Sequence, residues 1–253
     1  MVREKIVSGE FYHIYNRGVE KRNVFLDEDD RYRFVFSLYE CNDANYVVMR
    51  DRIGERLQRN SKISIGETYG NSLAVRKKRE PLAEIAAFTL MPNHYHLIVR
   101  QIAVNGIPSF MKKLSNSYTG YFNGKYERKG MGALFQGAYK AVRIADNNQF
   151  FHLVEYIFSN PVEIIDPGWK HGAKNPAEAI AFLNNYKWSS YLDSIGIKNF
   201  PSVTERSLID GIFSSSGDTG EGGEKIKQCT ESWITNKANL SKNLAVIGKL
   251  SLE

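Results

Sequence analysis

The chain has 253 residues, a net charge of +6, 42% hydrophobic and 12% aromatic residues, and two cysteines. That is enough chain to bury a substantial core with an ordinary apolar share, and no apolar run approaches the length of about 18 residues that reads as a membrane-spanning helix. Cys41 and Cys229 stand far apart without metal or redox spacing, which excludes a disulfide scaffold and fits a reducing cytoplasm, and the charged start does not read as a secretory leader.

From the N-terminus, Phe11 to Arg17 alternates as a strand and Arg22 to Phe25 reads as a loop or short strand. Asp27 to Glu40 is a helix whose leading acids, Asp27, Glu28, Asp29 and Asp30, suit its positive end. Residues 46–80 read as a basic insertion with a loop near 60–80. Leu82 to Leu90 and Tyr95 to Gln101 form a hairpin about the turn Met91-Pro92-Asn93. A helix from Pro108 to Tyr126, a turn at Gly130 to Gly132, a strand over 134–144 and a helix around Tyr156 follow. Strands interrupted by helices, with one close hairpin, predict an α+β fold in which an antiparallel sheet is covered by α-helices. Residues 1–195 are expected to form this domain and 196–253 a mostly helical C-terminal extension, with helices over 202–213, 224–234 and 238–249 and a flexible linker at 214–223.

Chemistry concentrates in two of these elements. In Asn93-His94-Tyr95-His96-Leu97, residues two apart on a strand share a face, so His94 and His96 present two imidazoles side by side, half of a divalent-metal site. In the helix after Asp146, residues Phe150, Leu153, Val154, Ile157 and Phe158 make a buried stripe, Asp146 and Gln149 resemble a capping box, and Pro161 marks a stop. The opposite face carries His152, Glu155, Tyr156, Ser159 and Asn160, and Tyr156 lies one turn from Asn160. A hydroxyl beside an amide oxygen able to ligate a metal makes a reactive pair.

Other tyrosines compete for that role. Tyr118 and Tyr121 fall on a helical stripe and read as core or base-stacking residues, Tyr139 as structural, and His13 as a plain strand position, with a place bordering the site as the alternative. The positive charge is unevenly placed. Residues 111–145 carry seven Lys/Arg against one acid, Glu127, and 50–80 carry nine against four, whereas 204–253 carry six against seven. The candidate DNA-binding residues are Lys112, Lys113, Arg128, Lys129, Lys140 and Arg143. A basic chain rich in aromatic residues suits gripping phosphates and stacking bases, with a solvated basic face as the alternative.

His94-Tyr-His96 followed by His152-Leu-Val-Glu-Tyr-Ile-Phe-Ser-Asn-Pro-Val162 resembles the single-tyrosine HUH transposases, in particular the IS200-like group and the REP-associated tyrosine transposases. Phe11-Tyr-His-Ile-Tyr-Asn-Arg-Gly18, Leu134-Phe-Gln-Gly-Ala-Tyr-Lys140 and Lys187-Trp-Ser-Ser-Tyr191 extend the resemblance over about residues 10 to 192. It implies the HUH (ferredoxin-like) fold, His94 and His96 as metal ligands, Tyr156 as nucleophile and Asn160 at the place where relatives often have Gln. It also implies Mg²⁺ or Mn²⁺ as cofactor and single-stranded or hairpin DNA as partner. Relatives often carry an Arg where this chain has Ala138, so a phosphate contact made there falls to another cation, Lys140 or Arg143 among the candidates.

The chemistry follows from the residue types. Breaking a phosphodiester needs an in-line nucleophile and cations that offset charge on the phosphoryl oxygens. A metal on His94, His96 and Asn160 would polarise and orient the phosphate, and Tyr156 would attack to leave a 5′-phosphotyrosine and a free 3′-hydroxyl. A tyrosine with a pKa near about 10 needs help at neutral pH, from the metal or from a base, Glu155 or His152. Two alternatives stay open: a non-cutting binder of structured nucleic acid with the same fold, and an HUH nicking enzyme for replication or conjugation. Against the latter, the helix has a single tyrosine and the chain is too short for a fused helicase. The expected place of action is the bacterial cytoplasm, at the nucleoid. Relatives include both homodimers and monomers, and the residues favour neither.

Overall fold

The computed structural model describes residues 5–60, 78–128, 130–213, 222–236 and 246. Its elements run β1 Phe11–Arg17, α1 Glu28–Glu40, α2 Met49–Asn60, β2 Ala83–Met91, β3 His94–Gln101, α3 Gly106–Lys125, β4 Lys140–Arg143, α4 Asn147–Ser159, α5 Pro176–Leu183, α6 Tyr191–Ser194, α7 Ser207–Phe213 and α8 Gly222–Thr235. The strands form one sheet in the order β2-β3-β1-β4, antiparallel throughout, so the α+β expectation holds.

Strand alternation divides the sheet into two faces. On one, Tyr12, Ile14, Tyr95, Leu97, Val99, Phe88 and Leu90 are buried with Phe34, Leu38, Phe110, Leu114 and Tyr118 from α1 and α3. On the other, Ala87 and Ile98 are buried with Phe150, Leu153, Val154, Ile157 and Phe158 of α4. The register aligns Arg17 with His94, Tyr15 with His96 and His13 with Ile98. His13, Tyr15 and Arg17 therefore share the α4 face with the histidine pair.

Local chemistry sets the boundaries. Asp27 caps α1 by accepting from Asp30 N at 3.0 Å, and Asp146 caps α4 by accepting from Gln149 N at 2.8 Å. The Gln149 side chain then accepts from Ala145 N at 2.9 Å, one residue short of a full capping box. α3 begins at Gly106, two residues before the expected Pro108, because a proline in the first turn gives up an N–H that has no helical partner there. A Cβ on Gly106 would lie 2.0 Å from Leu82 O, so only glycine lets α3 start against β2.

Some expectations change. The strand expected over 134–144 shortens to Lys140–Arg143, since Gly137 in the left-handed region (φ +80) turns the chain between Phe135 and Tyr139. Residues 49–60, read only as part of a basic insertion, include the helix α2; the rest of the loop expected near 60–80 lies outside the described residues up to 77. The linker expected at 214–223 falls outside the description up to 221, and Gly222 and Gly223 already belong to α8; the helix expected over 238–249 lies outside it except at 246. Within the described part of the extension, Ile209, Phe213, Ile226 and Trp233 share one apolar cluster with α4. Among the described residues no helix is long and apolar enough to cross a membrane.

The free edge of β2 is covered. Leu90 N donates to Trp188 O at 2.9 Å and Ser190 N to Phe88 O at 3.0 Å, so the Lys187–Tyr191 segment extends the sheet edge and shields it from pairing with other chains.

Candidate active site

His94 opens β3 directly after the hairpin turn, and the turn itself orients its ring. Asn93 Nδ2 donates to Lys21 O at 3.0 Å, which fixes the amide so that Oδ1 meets His94 Nδ1 at 2.5 Å. An amide oxygen can only accept, so the proton sits on His94 Nδ1 and Nε2 keeps its lone pair. The turn is held in place by Gly18 N donating to Asn93 O at 2.8 Å and by Val24 N and Phe25 N donating to Pro92 O.

His96 is 0% exposed and sits between two partners. Its Nδ1 lies 2.8 Å from His13 Nε2, and its Nε2 lies 3.1 Å from Asn160 Nδ2. An amide NH₂ only donates, so His96 Nε2 is the lone-pair atom and Nδ1 carries the proton that His13 accepts. Both imidazoles thus hold their protons on Nδ1 and keep unprotonated Nε2 atoms, that of His96 turned to the Asn160 amide. Hydrogen bonding of the second ring nitrogen in this way is the arrangement that orients metal-ligating histidines. Burial, with the cations Arg17 and Lys170 adding to it, pushes His94 down to about 3. Burial also holds His96 well below the usual imidazole range, with His94, His13, Lys170 and Arg17 contributing. Both rings are neutral at physiological pH, the state that ligates metals.

The donor set fits a divalent ion. Two cis ligands at about 2.1 Å from an octahedral metal are about 3.0 Å apart, close to the 3.1 Å between His96 Nε2 and the Asn160 amide. Rotating that amide by half a turn exchanges its nitrogen for the ligating oxygen. Thr89 Oγ1, across from His96 on β2, is buried with no hydrogen-bond partner among the described residues, so a polar group remains for an incoming ligand atom. No group of three or more His, Cys, Asp or Glu gathers among the described residues, so the candidate set is two imidazoles and an amide.

Tyr156 comes from α4 and is 1% exposed. Its ring stands edge-on to His96 at 5.7 Å, and Lys170 Nζ lies over it at 4.8 Å. Lys170 sits on the 3₁₀ turn Trp169–His171, anchored by the fully buried Trp169. Tyr15 approaches closely enough for its phenol to be raised by burial and then by Tyr156.

The polar face expected on α4 is not exposed: Glu155, Tyr156, Ser159 and Asn160 are all buried. Tyr156 meets β3 and the Lys170 turn, whereas His152 and Glu155 turn to the C-terminal helices. Those two bond to each other at 2.7 Å, and His152 lies 5.9 Å from the Trp233 ring. Burial pushes the Glu155 carboxyl up to about 8 and the His152 imidazole down.

The six basic candidates scatter. Lys140 lies beside the site, 5.9 Å over the Tyr15 ring. Lys112 is exposed on α3, across the sheet from α4. Lys113 donates to Asp43 O at 2.5 Å and Asn45 O at 2.8 Å, Arg128 bonds Asn123 at 3.1 Å, and Arg143 pairs with Glu10 at 3.1 Å. Lys129 lies outside the described residues. Tyr118 donates to Val24 O from the core and Tyr121 to Asp30 at 3.1 Å, both on the face away from Tyr156.

Asn93, Arg17 and Lys170 are neighbours of the site that sequence reasoning did not single out, and His13, read first as a plain strand position, bonds His96 directly at 2.8 Å. The alternation His13, Tyr15, Arg17 carried a signal, usable once the strand is paired with β3. Lys170 lies in an irregular segment without periodicity.

Residues 65–160 match the family described as Transposase IS200 like. That segment contains His94, His96, Tyr156 and Asn160, and the similarity to IS200-like transposases expected from the ordered motifs is shown over it. A solved structure described as a REP-associated tyrosine transposase bound to a REP hairpin is similar at 16% identity and a TM-score of 0.45, covering 86% of this chain and 96% of that one. No curated protein matches the chain.

Proposed function

We propose, from this IS200-like core, that the chain is a metal-dependent DNA transesterase that cuts and rejoins single-stranded or hairpin DNA through Tyr156. The observation that carries the reading is the convergence on His96: the Asn160 amide 3.1 Å from its Nε2 and the Tyr156 ring 5.7 Å away, with His94 on the same strand face. His94, His96 and Asn160 would hold Mg²⁺ or Mn²⁺, which when bound would act as a Lewis acid that orients the scissile phosphate. Two imidazoles suit Mn²⁺ and also leave Zn²⁺ as a competitor.

In the proposed step, Tyr156 Oη bonds to phosphorus and the bond from phosphorus to the 3′-oxygen breaks. The phenolic proton ends on that oxygen, giving a 3′-hydroxyl and a 5′-phosphotyrosine. One ester replaces another, so the reverse reaction joins a new end without a nucleotide cofactor. His13 and Asn93 keep the two imidazoles in the ligating tautomer. The His152–Glu155 pair faces the C-terminal helices, so proton removal from Tyr156 falls to groups on the sheet side. Action in the cytoplasm fits two unbridged cysteines.

Covalent capture tests the reading. Hairpin DNAs with randomised single-stranded flanks and a 3′ label, incubated with Mn²⁺, should leave label on the wild-type protein in a denaturing gel. Tyr156→Phe and His94→Ala should lose it. Label that persists on Tyr156→Phe moves the chemistry to another residue, and hairpin binding without any adduct favours a non-cutting binder of the same fold.

A further inference from the structure

We infer that Lys170, with Arg17 of β1 on the same face of the sheet as the two imidazoles, forms the anion clamp of this site and holds the non-bridging oxygens of the scissile phosphate. The inference rests on Tyr156 as nucleophile and adds the groups that receive the phosphate's charge.

Two observations converge on it. Lys170 Nζ lies 4.8 Å from the centre of the Tyr156 ring, over the side chain that carries the proposed nucleophile. Arg17 is aligned with His94 on the α4 face of the sheet, and its Nε is buried without a hydrogen-bond partner among the described residues.

Charge supplies the reason. Two cations beside a metal-binding set repel the metal, so in a site built for the ion alone they would be a cost. A phosphodiester brings a negative charge, and its transition state carries charge on the equatorial oxygens that preorganised cations stabilise. The placement is supported by the fold: Trp169 is fully buried and pins the turn that carries Lys170, and Gly18 N bonds Asn93 O immediately after Arg17. Lys170 comes from neither of the basic stretches prominent in the sequence.

The test begins with the wild-type adduct, whose DNA is sequenced to locate the cleaved phosphate. A hairpin of that sequence is then made twice, with the natural phosphodiester and with an uncharged methylphosphonate at that position. On the natural substrate Lys170→Met should lower the adduct-forming rate about a hundredfold, Lys170→Arg should restore most of it, and the Mn²⁺ concentration for half-maximal rate should not rise. On the methylphosphonate the penalty of Lys170→Met should fall to a few-fold. A Lys170→Met rate within threefold of wild type on the natural substrate, or an equal penalty on both substrates, overturns the clamp and leaves the nucleophile standing. A wild-type protein that forms no adduct with any hairpin in the pool overturns the nucleophile and the clamp with it.

Discussion

Replacing His13 with phenylalanine keeps a ring of similar size against His96 and removes one hydrogen-bond acceptor. The two imidazoles are both 0% exposed, stacked at 5.0 Å with a 14° angle and bonded at 2.8 Å, so no water can take the lost place. Without metal, His96 in the variant can move its proton to Nε2 and donate to the Asn160 oxygen, leaving only an acceptor to face the phenyl ring. Metal ligation through Nε2 forbids that escape, because it forces the proton onto Nδ1 with nothing to receive it. A buried donor left unpaired costs about 1–3 kcal/mol, which is about 5- to 150-fold in affinity, in line with the 10- to 100-fold losses typical of such supporting contacts. Mn²⁺ titration followed by the paramagnetic resonance of the free ion should show that loss, and His13→Gln, which restores an acceptor, should recover part of it. A dissociation constant for folded His13→Phe within twofold of wild type would refute the tautomer argument and the assignment of His96 as a ligand.

Asn160→Ala should weaken Mn²⁺ by about tenfold in the same titration, less than His96→Ala, because the metal then takes a water in place of the amide; no change would remove Asn160 from the donor set. Glu155 is pushed up to about 8 by burial, so its folded form keeps a proton that the unfolded chain gives up near its ordinary value. Its contribution is therefore full below about pH 4.5 and is lost as pH rises towards about 8. Urea titrations at pH 5 and pH 8 should show a smaller fall in stability for Glu155→Gln than for wild type, and parallel falls would contradict the burial argument. Asn42 bridges the end of α1 to the start of β2, accepting from Leu82 N and Ala83 N and donating to Ala83 O at 2.7 Å. Asn42→Ala should cost about 3 kcal/mol or more in urea denaturation, since three buried backbone groups lose a partner; a loss under about 1 kcal/mol would mean that water reaches them.

The elements whose periodicity is local were legible in the sequence. Phe11–Arg17 alternates because one side of each central strand faces α1 and α3 and the other faces α4, and the apolar stripe of α4 repeats because it must cover Ala87 and Ile98. His94 and His96 share a face by strand geometry, and Tyr156 and Asn160 lie a turn apart by helix geometry. The short β4 was not legible, because whether Gly137 interrupts a strand depends on the loop that Asn16 holds by donating to Gly137 O at 3.1 Å. The burial of the polar face of α4 was hidden too, since the C-terminal helices that cover Glu155 and His152 arrive more than fifty residues later. Local spacing thus determined the elements, the two imidazoles and the single tyrosine opposite an amide. Tertiary structure decided what each side chain meets: His13 behind His96 through a pairing across 83 residues, and Lys170 over Tyr156 through a turn with no period. Spacing specifies neighbours within one element, whereas neighbours between elements depend on strand register and on which helix covers which face.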